Sequence, residues 1–113
     1  MLKKIRSGLL VAMALAMAQS VHAAELVVLS AAAMKGALEA LPEQYLAATG
    51  DHVRLVYGTA GQVRDWAMSG KTFDVVIAPP QPLARLAERG VVKDGSKVEV
   101  ARVRLGVAVK AGT

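Results

Sequence analysis

Val53-Arg54-Leu55-Val56-Tyr57-Gly58-Thr59-Ala60-Gly61-Gln62 sets the architecture expected of the chain. An apolar, strand-like run meets two glycines enclosing Thr-Ala, and a helical pattern follows from Val63 to Met68. A strand, a tight glycine turn and a helix start together leave backbone N–H groups pointing outward without partners. Thr59 and Gln62, three residues apart, have the spacing of a capping box, which satisfies some of those donors and leaves others free. Gly58 and Gly61 carry no Cβ, so a small solute can approach the backbone there. The turn therefore reads as one wall of a small anion-binding cleft, with Thr59, Ala60 and Gly61 on it. The plain alternative is a glycine turn with a capped helix that holds nothing.

A similar junction recurs on either side. Upstream, Leu26 to Leu29 is a short apolar run without alternation, as expected of a strand buried on both faces. Ser30 is expected to cap the helix that follows, whose apolar positions Met34, Ala37, Leu38, Leu41 and Tyr45 recur at helical spacing. Pro42 interrupts that pattern and predicts a kink or restart near Leu41. Gly50 stands where a helix C-terminus places its glycine. Downstream, Phe73 to Ala78 is again a continuous apolar run. Pro79-Pro80-Gln81-Pro82 predicts a rigid turn, and Leu83 to Ala87 a short helix stopped by Gly90.

Lys97 to Lys110 is the longest extended pattern. Val98 and Val100 share one parity, while Val103, Leu105, Val107 and Val109 share the other. That predicts a fourth strand with a bulge, or a strand passing between sheets. The order β-α-β-α-β-α-β implies right-handed crossovers and a mainly parallel sheet flanked by helices. Ligands of such folds sit outside the carboxyl ends of the strands. Here those ends are Ser30-Ala31-Ala32-Ala33, Gly58-Thr59-Ala60-Gly61 and Ala78-Pro79, all small and uncharged.

Lys3, Lys4 and Arg6 precede an apolar run from Gly8 to Ala18, and Val21-His22-Ala23 follows with small residues. This is the pattern of a secretory signal, residues 1–23, cleaved between Ala23 and Ala24. The apolar run is too short for a bilayer that needs about 20 residues, so no stable membrane insertion is expected. The whole chain has 113 residues, 14 Lys and Arg, 9 Asp and Glu, and no cysteine. Without residues 1–23 the basic count falls by three, leaving 11 against 9. No basic stripe interleaved with aromatics remains to bind nucleic acid. Residues 24–113 are enough for one small domain, stabilised by packing without disulfides.

Catalytic groups are not expected. Ser30 and Thr59 are hydroxyls in search of a base, and His52 enters the opposite end of the second strand. No ligand spacing for a metal exists, and no cofactor is implied. Asp65 and Asp74 read as a solvated helix position and a capping or loop aspartate rather than a catalytic pair. Trp66 reads as core.

The signal, Glu25-Leu26-Val27-Val28-Leu29-Ser30-Ala31-Ala32-Ala33-Met34, Tyr57-Gly58-Thr59-Ala60-Gly61-Gln62-Val63 and Phe73-Asp74-Val75-Val76-Ile77-Ala78-Pro79 resemble, in that order, the start of the bacterial periplasmic molybdate-binding proteins. These are solute receptors for ABC importers. The resemblance implies two α/β lobes closing on an oxyanion held by serine hydroxyls and backbone amides, with a membrane permease as partner. Residues 24–113 would be an incomplete N-terminal lobe, the second lobe absent. The family's two site serines fall at Ala33 and Ala60, and a third, amide-giving position falls at Pro79, which has no N–H. Ser30, Ala33, Thr59, Ala60, Gly61 and Pro79 are therefore the ligand-site candidates, with Ser30 and Thr59 as replacement hydroxyls. The expectation is a periplasmic binder of a small anion, molybdate-like or other. The alternatives are a small exported hydrolase using Ser30 or Thr59, a regulatory effector domain inside the cell, and a truncated fragment without function.

Overall fold

The strand β1, Glu25–Ala31, lies between two parallel neighbours in the computed structural model, which describes residues 23–113. Residues 1–23, read as an export signal, lie outside the described residues except for Ala23. On one side β1 pairs with β2, His52–Gly58, in a register running from Glu25↔His52 to Ala31↔Gly58. On the other it pairs with β3, Val75–Ile77, through Val28↔Val75, Leu29↔Val76 and Ser30↔Ile77. The sheet order is β2-β1-β3. Val27 to Ala31 are all buried, which accounts for the missing alternation in the sequence.

Helices connect the strands. A 3₁₀ turn, Ala32–Met34, leads to α1, Lys35–Leu38, and α2, Leu41–Thr49. The break falls where Pro42 predicts it, because proline is tolerated in a first helical turn whose N–H groups lack intrahelical partners. Gly50 ends α2 at φ 80° and donates to Leu46 O at 2.9 Å. The helix α3, Ala60–Met68, links β2 to β3, and α4, Pro80–Glu88, follows β3.

Val27 and Leu29 face Val63 and Ala67 of α3 and Leu86 of α4 in the buried core, with Val56, Val76, Trp66 and Leu83 packed around them. Val63 and Ala67 stand four residues apart on α3, so one helical stripe covers the sheet. Burying a side chain such as Leu29 or Leu86, both fully enclosed, contributes about 1.5–3 kcal/mol. Helix α2 packs on β2 and supplies nothing to that core. Right-handed crossovers place it on the opposite face.

Three expectations are corrected. Ser30 does not cap a helix: it belongs to β1, is fully buried, and its hydroxyl donates to Ala31 O at 3.1 Å. The ladder with Gly58 and Ile77 holds the chain extended through Ala31, one residue past the serine. The third strand is only Val75–Ile77, because the Asp74 carboxylate accepts from Val27 N at 2.7 Å while Asp74 N donates to Val27 O at 2.8 Å. A side chain takes the ladder position that the next residue of a longer strand would fill. Finally, Lys97–Lys110 forms no strand. Alternation marks a face, but a strand needs an adjacent backbone, and among the described residues none pairs with this segment.

The Asp74 clasp ties β3 to β1, and a hydrogen bond to a charged group contributes about 1.5–3 kcal/mol. Asp74→Ala should lower the urea midpoint by a stability loss of that size, whereas Asp65→Ala, on the exposed face of α3, should change it little. Equal midpoints for wild type and Asp74→Ala would show the clasp to be dispensable.

Candidate functional site

The parallel registers bring three strand ends to one edge. Ala31↔Gly58 sets the Thr59–Gly61 turn beside the Ala32–Ala33 turn. Ser30↔Ile77 sets Ala78 and Pro79 beside β1 on its other flank. With β1 between them, the β2 and β3 ends are two strand spacings apart, about 10 Å. The crossover helices leave β1 and β3 on opposite faces, so the edge between those two strands is the switch point where open α/β sheets place ligands.

The donors at this edge can be counted. The capping box forms: Gln62 N donates to Thr59 Oγ1 at 3.1 Å, and Thr59 N donates to Gln62 Oε1 at 2.9 Å. Val63 N reaches Thr59 O at 2.9 Å, the first bond of the helical ladder. Ala60 and Gly61, the first two residues of α3, are left with N–H groups that no acceptor among the described residues takes. The Thr59 hydroxyl uses a lone pair in the cap, so its own hydrogen stays free to donate. Two amides and one hydroxyl thus stand together on an exposed turn, at the positive end of a helix dipole.

The two glycines of the motif have different reasons. A Cβ on Gly58 would sit 2.7 and 2.8 Å from ring carbons of Trp66, so this glycine gives room to an indole inside the fold. Trp66 is half-buried against the core, as expected, and Lys71 Nζ stands 5.0 Å from its ring centre. A Cβ on Gly61 would meet nothing closer than Thr59 Oγ1 at 4.0 Å, so close approach of a solute is open at Gly61 only.

The other candidates contribute less. Ala33 is exposed in the 3₁₀ turn and offers a backbone amide alone. Pro79 is the residue before α4, and Pro80 and Pro82 stand in its first turn. With Leu83 N bonded to Pro79 O, Gln81 supplies the one unengaged amide of that turn. Ser30 lies beneath the edge, enclosed and already donating within its own strand. His52 is at the far end of β2, about 20 Å of strand away from Gly58. These positions do not make a nucleophile and base pair.

Tyr57 escapes a reading based on small residues and hydroxyl turns. It is the register partner of Ser30, on the same face, and its hydroxyl is buried without a partner among the described residues. Its signal in the sequence is only its place next to Gly58.

Two substitutions test this geometry. Gly58→Ala should push Trp66 aside at a cost of about 1–3 kcal/mol and shift the emission of the chain's single tryptophan. An unchanged spectrum would mean that the ring is not seated on Gly58. Tyr57→Phe removes an unpaired buried hydroxyl and should leave thermal stability equal or higher. A loss above about 1 kcal/mol would reveal a hydrogen bond to that oxygen.

No curated protein matches the chain. A solved structure, the substrate-binding domain assigned to a molybdenum ABC transporter from Clostridium difficile, is similar at a TM-score of 0.55 and 23% identity. The match covers 59% of this chain and 30% of that one, and at such identity it speaks for the fold. Residues 26–113 match the family model described as bacterial extracellular solute-binding protein. That match takes in the donor turn and all three strands but for Glu25 at the start of β1, and the chain belongs to this family of bacterial extracellular solute-binding proteins.

Proposed function

We propose that residues 24–113 are the first lobe of the periplasmic solute-binding component of an ABC importer, and that the strand-end edge takes a small oxyanion of the molybdate class. Membership of a solute-binding family supports the role, and the likeness to a molybdenum transporter's substrate-binding domain supports the ligand class. Residues 1–23 would direct export. A second lobe would close over the edge, and a membrane permease would receive the solute.

The observation that carries this reading is the pair of unengaged amides at Ala60 and Gly61 beside the Thr59 hydroxyl. The dipole of a helix start stabilises a nearby anion by about 0.3–1 kcal/mol, besides the hydrogen bonds that its neutral amides make. They leave no unpaired charge behind when the site empties, which suits a carrier that must release its cargo. Release would follow from hinge opening between lobes. Ser30, Ala33 and Pro79 border the same edge, with Ser30 below its surface. No observation favours the hydrolytic alternative.

Ala60→Pro offers a clean test. Proline suits a first helical position, and Thr59, at φ −63° and ψ 159°, already has the backbone that a following proline demands. The variant should melt like wild type yet lose one amide donor. One hydrogen bond to an anion contributes about 1.5–3 kcal/mol, so calorimetric affinity for molybdate should fall tenfold or more. Equal affinity with an intact fold would place binding elsewhere, and tungstate and sulfate should follow molybdate's response.

A further inference from the structure

Ala24, the residue before β1, is held at both of its backbone polar groups. Its nitrogen donates to Asp51 Oδ1 at 3.0 Å, across 27 positions of chain. Its carbonyl accepts from His52 N at 2.8 Å. The Asp51 carboxylate is positioned without help from Ala24. Thr49 Oγ1 donates to Tyr45 O at 2.8 Å in the last turn of α2 and accepts from Asp51 N at 3.1 Å, while Gly50 turns the chain at φ 80°.

The electrostatic setting of that carboxylate calls for a cation. Asp51 stands just past the end of α2, where the helix dipole is negative and a positive charge is the stabilising partner. The last turn of α2 holds no basic residue, and among the described residues Asp51 forms no ion pair with a basic side chain. The nearest charges on the two strands, Glu25 and Arg54, engage each other at 2.6 Å.

Export processing supplies a cation at this point. With residues 1–23 read as a signal, water hydrolyses the Ala23–Ala24 peptide bond and leaves a carboxylate on Ala23 and an amine on Ala24. An α-amino group titrates at about 7.7–8.0, so at neutral pH it takes up a proton and becomes an ammonium. One neutral N–H is replaced by three donors and a unit charge, on the nitrogen that stands 3.0 Å from the carboxylate.

We infer that the Ala24 ammonium created by signal removal forms an ion pair with Asp51 that the precursor lacks, so that processing itself fastens the start of β1 to the start of β2. The pair rests on the export reading and makes the position of the cut matter to the fold. A cut one residue later removes this nitrogen. A cut one residue earlier leaves it an amide and sets the amine about 3.8 Å further along the chain.

N-terminal sequencing of the exported protein should begin at Ala24; any other start overturns the processing reading and the ion pair together. On protein that begins at Ala24, the free amine should melt roughly 1–8 °C above a form acetylated at that amine alone, the range of an exposed ion pair in a domain of this size. Acetylation keeps an N–H for Asp51 and removes only the charge. The gap should narrow in 1 M salt, where the Debye length is about 3 Å, and vanish in Asp51→Asn. Equal melting of the free and acetylated forms overturns the inference while leaving the cleavage site standing. A gap that survives Asp51→Asn overturns it too, because the charge then acts on another group.

Discussion

Strand β1 is taken out of water on both faces and bounded by a strand on both edges, so its backbone groups must find partners inside the protein. That need sets the positions of the neighbours. His52 N meets Ala24 O at one end, and Asp51 Oδ1 accepts from Ala24 N, so β2 begins level with β1. On the other flank the Asp74 carboxylate occupies Val27 N where β3 has not yet begun. Both neighbours run parallel to β1, and with their starts fixed, their ends follow. The three turns meet at one edge because three strands of similar phase stop there, not because the turns attract one another.

Features with a local cause were readable from the sequence. The Thr59–Gln62 box forms because both partners belong to one turn, and α2 restarts at Pro42 because a proline's effect is confined to its own helical turn. Features with a distant cause were not. Whether Ser30 caps a helix or continues a strand depends on Gly58 and Ile77, which lie 28 and 47 positions along the chain. The length of β3 depends on Val27 N donating to the Asp74 carboxylate. The reason for Gly58 lies in the ring of Trp66, eight residues on, and no turn propensity encodes it. Val103 to Val109 has the pattern of a strand, but pattern specifies only which side chains share a face. The backbone that completes the ladder has to come from elsewhere.

The candidate edge shows the same division. Thr59, Ala60 and Gly61 could be placed from residue type and spacing, since helix starts always leave amides unengaged. The contributions of the other two strand ends could not. Prolines at positions 79, 80 and 82 reduce the α4 start to the Gln81 amide, and burial withdraws Ser30. The result is an asymmetric edge, rich in donors at the end of β2 and poor at the end of β3. An anion resting there would sit nearer α3 than the centre of the sheet.

The free donors of the Thr59 turn are two peptide N–H groups and an alcohol, and none of these gains or loses a proton between mild acid and mild alkali. An anion held by them would meet the same receptor surface throughout that range. Any pH dependence of binding at this turn would then come from the solute, through its own protonation.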